Sequence, residues 1–258
     1  MDDIVVELKD VCTRIKDQQL HDHICLQVPR GEILGLVGAS GSGKSVLLQT
    51  ILGLRRPESG KIKIFGHDPY ADQDREEIRR RWGVLFQSGA LFSSITVGEN
   101  IRLPMREIAH IPKKLAKELT YLKLDLVGLS PEAEGKLPGE LSGGMIKRAA
   151  LARSLAIDAE LLFLDEPTSG LDPISAREFD TLLKNLQHNL NLTVVMITHD
   201  LDSLLTVCDR VAVLIDHNLI VDTPQALKQH EHPWIQEYFQ SGERSQEKIQ
   251  EREKEIEQ

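Results

Sequence analysis

An α/β fold built on a largely parallel sheet is predicted by three observations. Ile33–Val37, Leu161–Leu164, Val194–Ile197 and Val211–Ile215 are near-continuous apolar runs, the pattern of strands covered on both faces by helices. Gly38-Ala39-Ser40-Gly41-Ser42-Gly43-Lys44-Ser45 follows the first run and precedes a helix-like stretch from Val46 to Leu52, which is where a phosphate-binding loop works. The run Leu161–Leu164 ends in Asp165 and Glu166, placing two carboxylates at the carboxyl end of a buried strand, where ligands of open α/β sheets gather.

The remaining elements follow in order. Residues 4–8, 24–28 and 61–65 are short and partly alternating, with Pro29-Arg30-Gly31 and Gly66-His67-Asp68 as turn punctuation. They read as an antiparallel sheet beside the core. A further strand spans Gly83–Phe86. Between 88 and 156 the character changes. Leu115, Leu119, Leu122 and Leu126 recur at helical spacing after Pro112, and a second helical pattern runs from Met145 to Ala156. This predicts a helical subdomain inserted in a nucleotide-binding domain of residues 1–229. Residues 230–258 form a C-terminal extension: Trp234, Ile235, Tyr238 and Phe239 share one helical face, and a charged tail with pairs such as Glu251 and Lys254 follows. The aromatic helix docks either on its own chain or on a neighbouring copy.

Composition narrows the partners. With 258 residues, 41% hydrophobic and 28% charged, the chain is ordinary for a soluble globular protein with a sizeable core. A net charge of -9 argues against nucleic acid, whose binding needs clustered positive charge. The local clusters Arg79-Arg80-Arg81 and Lys113-Lys114 read as solvated helix faces. Cys12, Cys25 and Cys208 are scattered, which fits a reducing compartment. His21, His23, His230 and His232 lack further ligands at zinc spacing and read as surface histidines. No apolar run approaches the length needed to span a bilayer, so the chain is expected to be cytosolic or peripheral to a membrane.

The chemistry follows from the loop and the acids. Glycines at 38, 41 and 43 let backbone N–H groups converge on an anion, and the following helix adds its positive end. Lys44 reaches the outer phosphates of a nucleoside triphosphate, and Ser45 offers an oxygen to Mg2+. Asp165 is placed to act on the metal, and Glu166 to deprotonate the water that attacks the γ-phosphate. Leu141-Ser142-Gly143-Gly144-Met145 precedes the second subdomain helix, so Ser142 can cap it and two glycines can bring the backbone close to an anion.

The order of these pieces, the phosphate loop, then Gln87, then Leu-Ser-Gly-Gly, then Leu-Leu-Phe-Leu-Asp-Glu, Ser169-Gly170-Leu171-Asp172 and His199, resembles the ATPase subunits of ATP-binding cassette transporters over about residues 4 to 225. The resemblance implies a RecA-like P-loop NTPase core with ATP and Mg2+ as cofactors. It also implies that Gln87 links metal and attacking water to the helical subdomain, that His199 contacts the γ-phosphate, and that Asp172 belongs to the nucleotide site. It further implies a head-to-tail pair of chains, each nucleotide held between one Gly38–Ser45 loop and the other chain's Ser142, Gly143 and Gly144.

Two stretches narrow the resemblance. Leu85-Phe86-Gln87-Ser88-Gly89-Ala90-Leu91-Phe92 with Thr96-Val97, Glu99 and Asn100, together with Met145 where most transporters carry Gln and the following Lys147-Arg148, are similar to the ATPases of Mce-associated bacterial lipid transporters such as the Mla system. That branch implies phospholipid as cargo and a peripheral location on the cytoplasmic face of the inner membrane. The implied partners are an integral-membrane permease, a periplasmic lipid-binding Mce protein and a small STAS-type cytoplasmic protein. The permease contact is expected around Ser88–Leu103, where Leu91, Phe92 and Ile95 serve either the subdomain core or a partner. Another importer or exporter ATPase is the alternative, and a cassette protein acting on nucleic acid or ribosomes a more distant one. Many members stack adenine on an aromatic ring, whereas here the nearest position carries Ile15 beside Arg14, so base selectivity is expected to be weak.

Overall fold

Residues 3–240 are described in the computed structural model of the protein. The expected charged tail, including Glu251 and Lys254, lies outside the described residues.

The N-terminal alternation extends further than expected. β1 (Ile4–Ile15) and β2 (Gln18–Pro29) are 12 residues each and pair antiparallel; with β4 (Ser59–Ile64) they make a three-stranded sheet ordered β2-β1-β4. Only 4–8 and 24–28 were legible because the pairing shifts register between Leu8 and Val11. There Asp10 and His23 adopt left-handed conformations (φ 51 and 49), as a bulge does when it interrupts alternation before the ladder resumes.

The second sheet has six strands. These are β3 (Ile33–Gly38), β5 (Trp82–Leu85), β6 (Leu161–Asp165), β7 (Thr193–Ile197), β8 (Arg210–Ile215) and β9 (Asn218–Asp222). Their order is β5-β6-β7-β3-β8-β9, parallel except for β9, which returns antiparallel to β8. The sequence reading did not foresee β9: its apolar segment is only Leu219-Ile220-Val221, behind a turn in which Asp216 and His217 carry positive φ. In this order β6, β7 and β3 are consecutive neighbours. The phosphate loop after β3, the two acids ending β6 and His199 after β7 therefore leave the same edge.

The helices are α1 (Lys44–Ile51), α2 (Asp72–Arg81), α3 (Val97–Glu107), α4 (Lys113–Leu126), α5 (Gly143–Ser154), α6 (Pro173–Leu190), α7 (Leu201–Val207), α8 (Pro224–Lys228) and α9 (233–240). α3, α4 and α5 fall within residues 88–156, the span read as helical. A capping box starts α3: Thr96 Oγ1 accepts from the Glu99 N–H at 3.2 Å, and Glu99 Oε2 accepts from the Thr96 N–H at 2.8 Å.

α4 divides its leucine stripe between core and surface, Leu119 and Leu126 packing against the main core. Its buried positions are Ala116, Thr120, Lys123 and Leu124, while Leu115 and Leu122 are 46% and 51% exposed. Small Ala116 and Thr120 let the helix axis approach its neighbours, and Lys123 is buried because its ammonium pairs with Asp158 at 2.6 Å.

Two charge expectations also change. Arg81 is not merely solvated: it pairs with Glu160 at 2.7 Å and lies 3.8 Å from the Phe65 ring centroid, while Glu160 also takes Arg30 at 2.7 Å. His21, expected at the surface, is fully buried on β2. It shares a hydrogen bond with Thr13, and burial lowers its pKa to about 4, so the ring is neutral near pH 7.

Ile235 and Phe239 of α9 lie in the main apolar core of their own chain, with Trp234 and Tyr238 packed against it. Trp234 stacks on Tyr238 at 5.0 Å. Within the described residues the aromatic helix therefore docks at home.

Candidate active site

Close backbone packing shapes the loop after β3. A Cβ on Gly38 would meet the Leu214 carbonyl at 2.4 Å, and one on Gly43 would meet His21 Nε2 at 2.8 Å. Gly43 is the N-cap of α1 with φ 103, a conformation that favours glycine. Lys44 bends back across the loop, its Nζ donating to the carbonyls of Gly38 at 2.7 Å and Ala39 at 3.0 Å. Burial lowers its pKa, and the Glu166 carboxylate pulls the other way. Ser42 Oγ is buried with no partner among the described residues, an unmet hydroxyl that suits a phosphate oxygen. Ala39, Ser40, Gly41 and Ser45 are exposed along the same loop.

Asp165 ends β6 and Glu166 follows in a left-handed conformation (φ 49). The backbone N–H of Glu166 donates to the Ile197 carbonyl at 2.8 Å, so β7 fixes this turn. A non-glycine residue held there stores strain, and such strain concentrates at functional sites. His199 Nδ1 lies 2.8 Å from Glu166 Oε2; Glu166 is 16% exposed and His199 75%. The structure thus brings together Glu166 and His199, which lie far apart in the sequence. Burial, with the neighbouring Glu166 charge, raises the pKa of Asp165, and Lys147 opposes the rise. Gln87 follows β5, and its Nε2 donates to Ser169 Oγ at 3.5 Å, which brings it to the loop that begins at Glu166.

The Ser45 hydroxyl, the Gln87 amide oxygen and the Asp165 carboxylate are hard oxygen donors of the kind Mg2+ prefers. Those residues would hold the ion, which would neutralise charge on the β- and γ-phosphates.

Ser142 caps α5, accepting from the Met145 N–H at 3.3 Å. Among the described residues outside its own helix turn, a Cβ on Gly143 or Gly144 would meet nothing nearer than 3.6 Å and 3.9 Å. The fold does not itself require glycine at either position, so any need for close approach comes from outside the chain. The neighbouring cavity is lined by Leu171, Ser175 and Glu178, not by phosphate-loop residues. Asp172 caps α6: its carboxylate accepts from the N–H groups of Ile174 and Ser175, both at 3.0 Å, and from Ser175 Oγ at 2.6 Å. Its pKa is lowered, chiefly by the Ser175 hydroxyl.

Ile15 ends β1 opposite Gln18, and Arg14 Nε donates to Glu58 at 3.4 Å. Cys12, Asp22 and His23 bring ligand atoms within 4.8 Å on the β1–β2 hairpin, a proximity absent from sequence spacing.

Sequence reasoning missed the contacts of three residues. Lys147 on α5 donates to the Gln87 carbonyl and, at 3.0 Å, to that of Glu166. Arg153 on the same helix donates to Ala90 at 2.6 Å and Gly89 at 3.0 Å. The Tyr238 hydroxyl on α9 donates to the His199 carbonyl at 3.3 Å. Each partner lies far along the chain, so no local spacing signals it.

Comparison with known proteins adds four findings. The profile of the ABC transporter family matches residues 21–169. A Haemophilus influenzae protein named intermembrane phospholipid transport system ATP-binding protein MlaF is 40% identical over 86% of this chain and 84% of its own length. A Mycobacterium leprae protein named probable ribonucleotide transport ATP-binding protein is 36% identical over 92% of this chain and 69% of its own. Among solved structures, the dimeric post-hydrolysis cassette MJ0796 bound to ADP and Pi superposes with a TM-score of 0.75 at 28% identity, covering 84% of this chain and 98% of the other.

Proposed function

This chain belongs to the ABC transporter family, and from that premise we propose that it is the ATP-hydrolysing subunit of a bacterial inner-membrane assembly that moves phospholipid. The observation that carries the reading is the Glu166–His199 pair at 2.8 Å, held at the same sheet edge as Lys44 and its loop. Lys44 and the loop N–H groups bind the phosphates. Glu166 takes a proton from the attacking water, with His199 fixing its carboxylate, and Gln87 orients that water. The 40% identity to a phospholipid system's ATPase, and Met145 in place of Gln, favour lipid over the ribonucleotide cargo named for the mycobacterial relative.

Two copies are proposed to face each other head to tail, Ser142–Gly144 of one closing on the nucleotide of the other. What supports this is the pair of glycines that the chain's own packing leaves uncrowded. The proposed partners are a permease, an Mce-domain periplasmic lipid-binding protein and a small STAS-type cytoplasmic protein, with the ATPase peripheral on the cytoplasmic face. Among the described residues no helix is long and apolar enough to cross a membrane.

The contact surface proposed for the permease is a groove of ≈ 420 Å³ lined by Trp82, Val84, Phe92, Leu103, Pro104 and Arg153. Phe92 is 54% exposed, whereas Leu91 packs against the core. The loop that displays Phe92 is held by fully buried Asn100. Its Oδ1 accepts from the Phe92 N–H at 2.8 Å, and its Nδ2 faces the carbonyls of Phe92, Ile95 and Thr96 at 3.1, 3.3 and 2.9 Å. Arg153 lines the groove and also binds the Gly89 and Ala90 carbonyls, so the groove is continuous with the Gln87 loop. Phe92→Glu is expected to abolish co-purification of the permease while ATP binding stays intact; unchanged association would remove the groove from the interface.

Base recognition is expected to be loose, since Ile15 offers no ring and Arg14 is drawn toward Glu58. GTP should compete with ATP within about tenfold, the weak discrimination expected of a base held by an aliphatic side chain. Complete rejection of GTP in a competition assay would point to a base contact elsewhere.

A further inference from the structure

Lys147 sits one turn inside α5, the helix capped by Ser142, and is only 5% exposed. Burying an ammonium is costly unless its donors are met. Two of the three are met here, by carbonyls from different parts of the catalytic apparatus: that of Gln87, and that of Glu166 at 3.0 Å. Neither bond is local, the partners lying 60 and 19 residues away. The Glu166 carbonyl belongs to a residue strained at φ 49, and the ammonium helps hold that peptide in place. Arg153 fastens the other end of the same loop to α5 through Gly89 and Ala90. Gly89 lies flush against the helix: a Cβ there would meet Ile146 Cγ2 at 3.1 Å and Ala150 Cβ at 3.4 Å. The loop bearing Gln87 and the turn bearing Glu166 are thus mounted on α5.

In the head-to-tail pair proposed above, on which this inference rests, the two ends of that mounting serve different nucleotides. The start of α5 touches the ATP of the opposite chain, while Gln87 and Glu166 act on the chain's own ATP. We propose that Lys147 is a positioning residue that couples the two sites: closure of Ser142–Gly144 on one nucleotide moves α5, and Lys147 carries that movement to the carbonyls of Gln87 and Glu166 at the other. A single buried cation then makes hydrolysis at each site depend on occupancy of both. Such dependence has a measurable signature, a sigmoidal response to ATP with a Hill coefficient bounded by the number of sites.

The test uses full-length protein carrying Lys147→Met, which keeps the length of the side chain and removes its donors. Three quantities are read: ADP affinity, ATP-driven pairing in a Glu166→Gln background, and turnover against ATP concentration. The expected result is near-wild-type ADP affinity and retained pairing. Turnover should fall about 10²-fold, as a small misplacement of reacting groups produces, and the sigmoidal response should become hyperbolic, with a Hill coefficient of about 1. Wild-type turnover and sigmoidicity in a variant that still pairs would overturn the coupling role, as would a hyperbolic response of the wild type. Equal losses of ADP binding and turnover would mark Lys147 as a packing residue and overturn it too. If Glu166→Gln alone fails to pair with ATP, the head-to-tail reading falls and takes the inference with it, so the two failures are distinguishable. Should Lys147→Met not accumulate as folded protein, Lys147→Gln, whose amide is too short to span both carbonyls, is expected to give the same separation of binding from turnover.

Discussion

Glu166→Gln is expected to bind ATP as tightly as the wild type and to hydrolyse it 10²- to 10⁴-fold more slowly, roughly the worth of a well-placed general base. The amide keeps the size of the side chain and can still bond His199, which lies 2.8 Å from the carboxylate, but it cannot accept the proton of the attacking water. The protein should then accumulate as an ATP-bound pair, visible as a shift to twice the mass on gel filtration with ATP and not with ADP. Turnover within tenfold of wild type would move the general base elsewhere, with Asp165, whose pKa is raised by burial, as the next residue to substitute.

Lys44→Ala is expected to act on the other half of the reaction. The ammonium makes two bonds to its own loop, at 2.7 and 3.0 Å, and these are the donors that an incoming phosphate would share or replace. Hydrogen bonds to charged groups contribute about 1.5–3 kcal/mol each, so loss of the ammonium should weaken ATP binding by about 10²-fold. In cells the variant should reproduce the lipid phenotype of a deletion. Unchanged nucleotide affinity, measured by equilibrium titration, would contradict the assignment of the Gly38–Ser45 loop as the phosphate site. The pair of variants separates capture of ATP from its cleavage.

What could be read from the sequence was local chemistry in order along the chain. Apolar runs and punctuating glycines located β3, β6, β7 and β8, and the residues just past β3, β6 and β7 then supplied the loop, the acids and His199. Long-range partnership was not legible. Lys147 looks like any polar residue on a helix until the fold brings it to Gln87 and Glu166, and His21 looks like a surface histidine until Thr13 and Gly43 enclose it. Asp172 was read as part of the nucleotide site through resemblance alone, and its capping of α6 was not foreseen. The leucine spacing located α4 but not its inner face: Leu119 and Leu126 pack against the core, while the fully covered positions are Ala116, Thr120, Lys123 and Leu124.

Asn100 shows how an outward shape is dictated from within. Its amide meets one N–H and three carbonyls of a loop whose tip carries Phe92. A carboxylate of the same outline would set negative charge against those three oxygens, so Asp at this position would spring the loop without altering a single solvent-facing atom. Divergence in what docks on such a cassette is thus steered by hidden scaffolding as well as by the contact surface, and a survey limited to visible residues would overlook it.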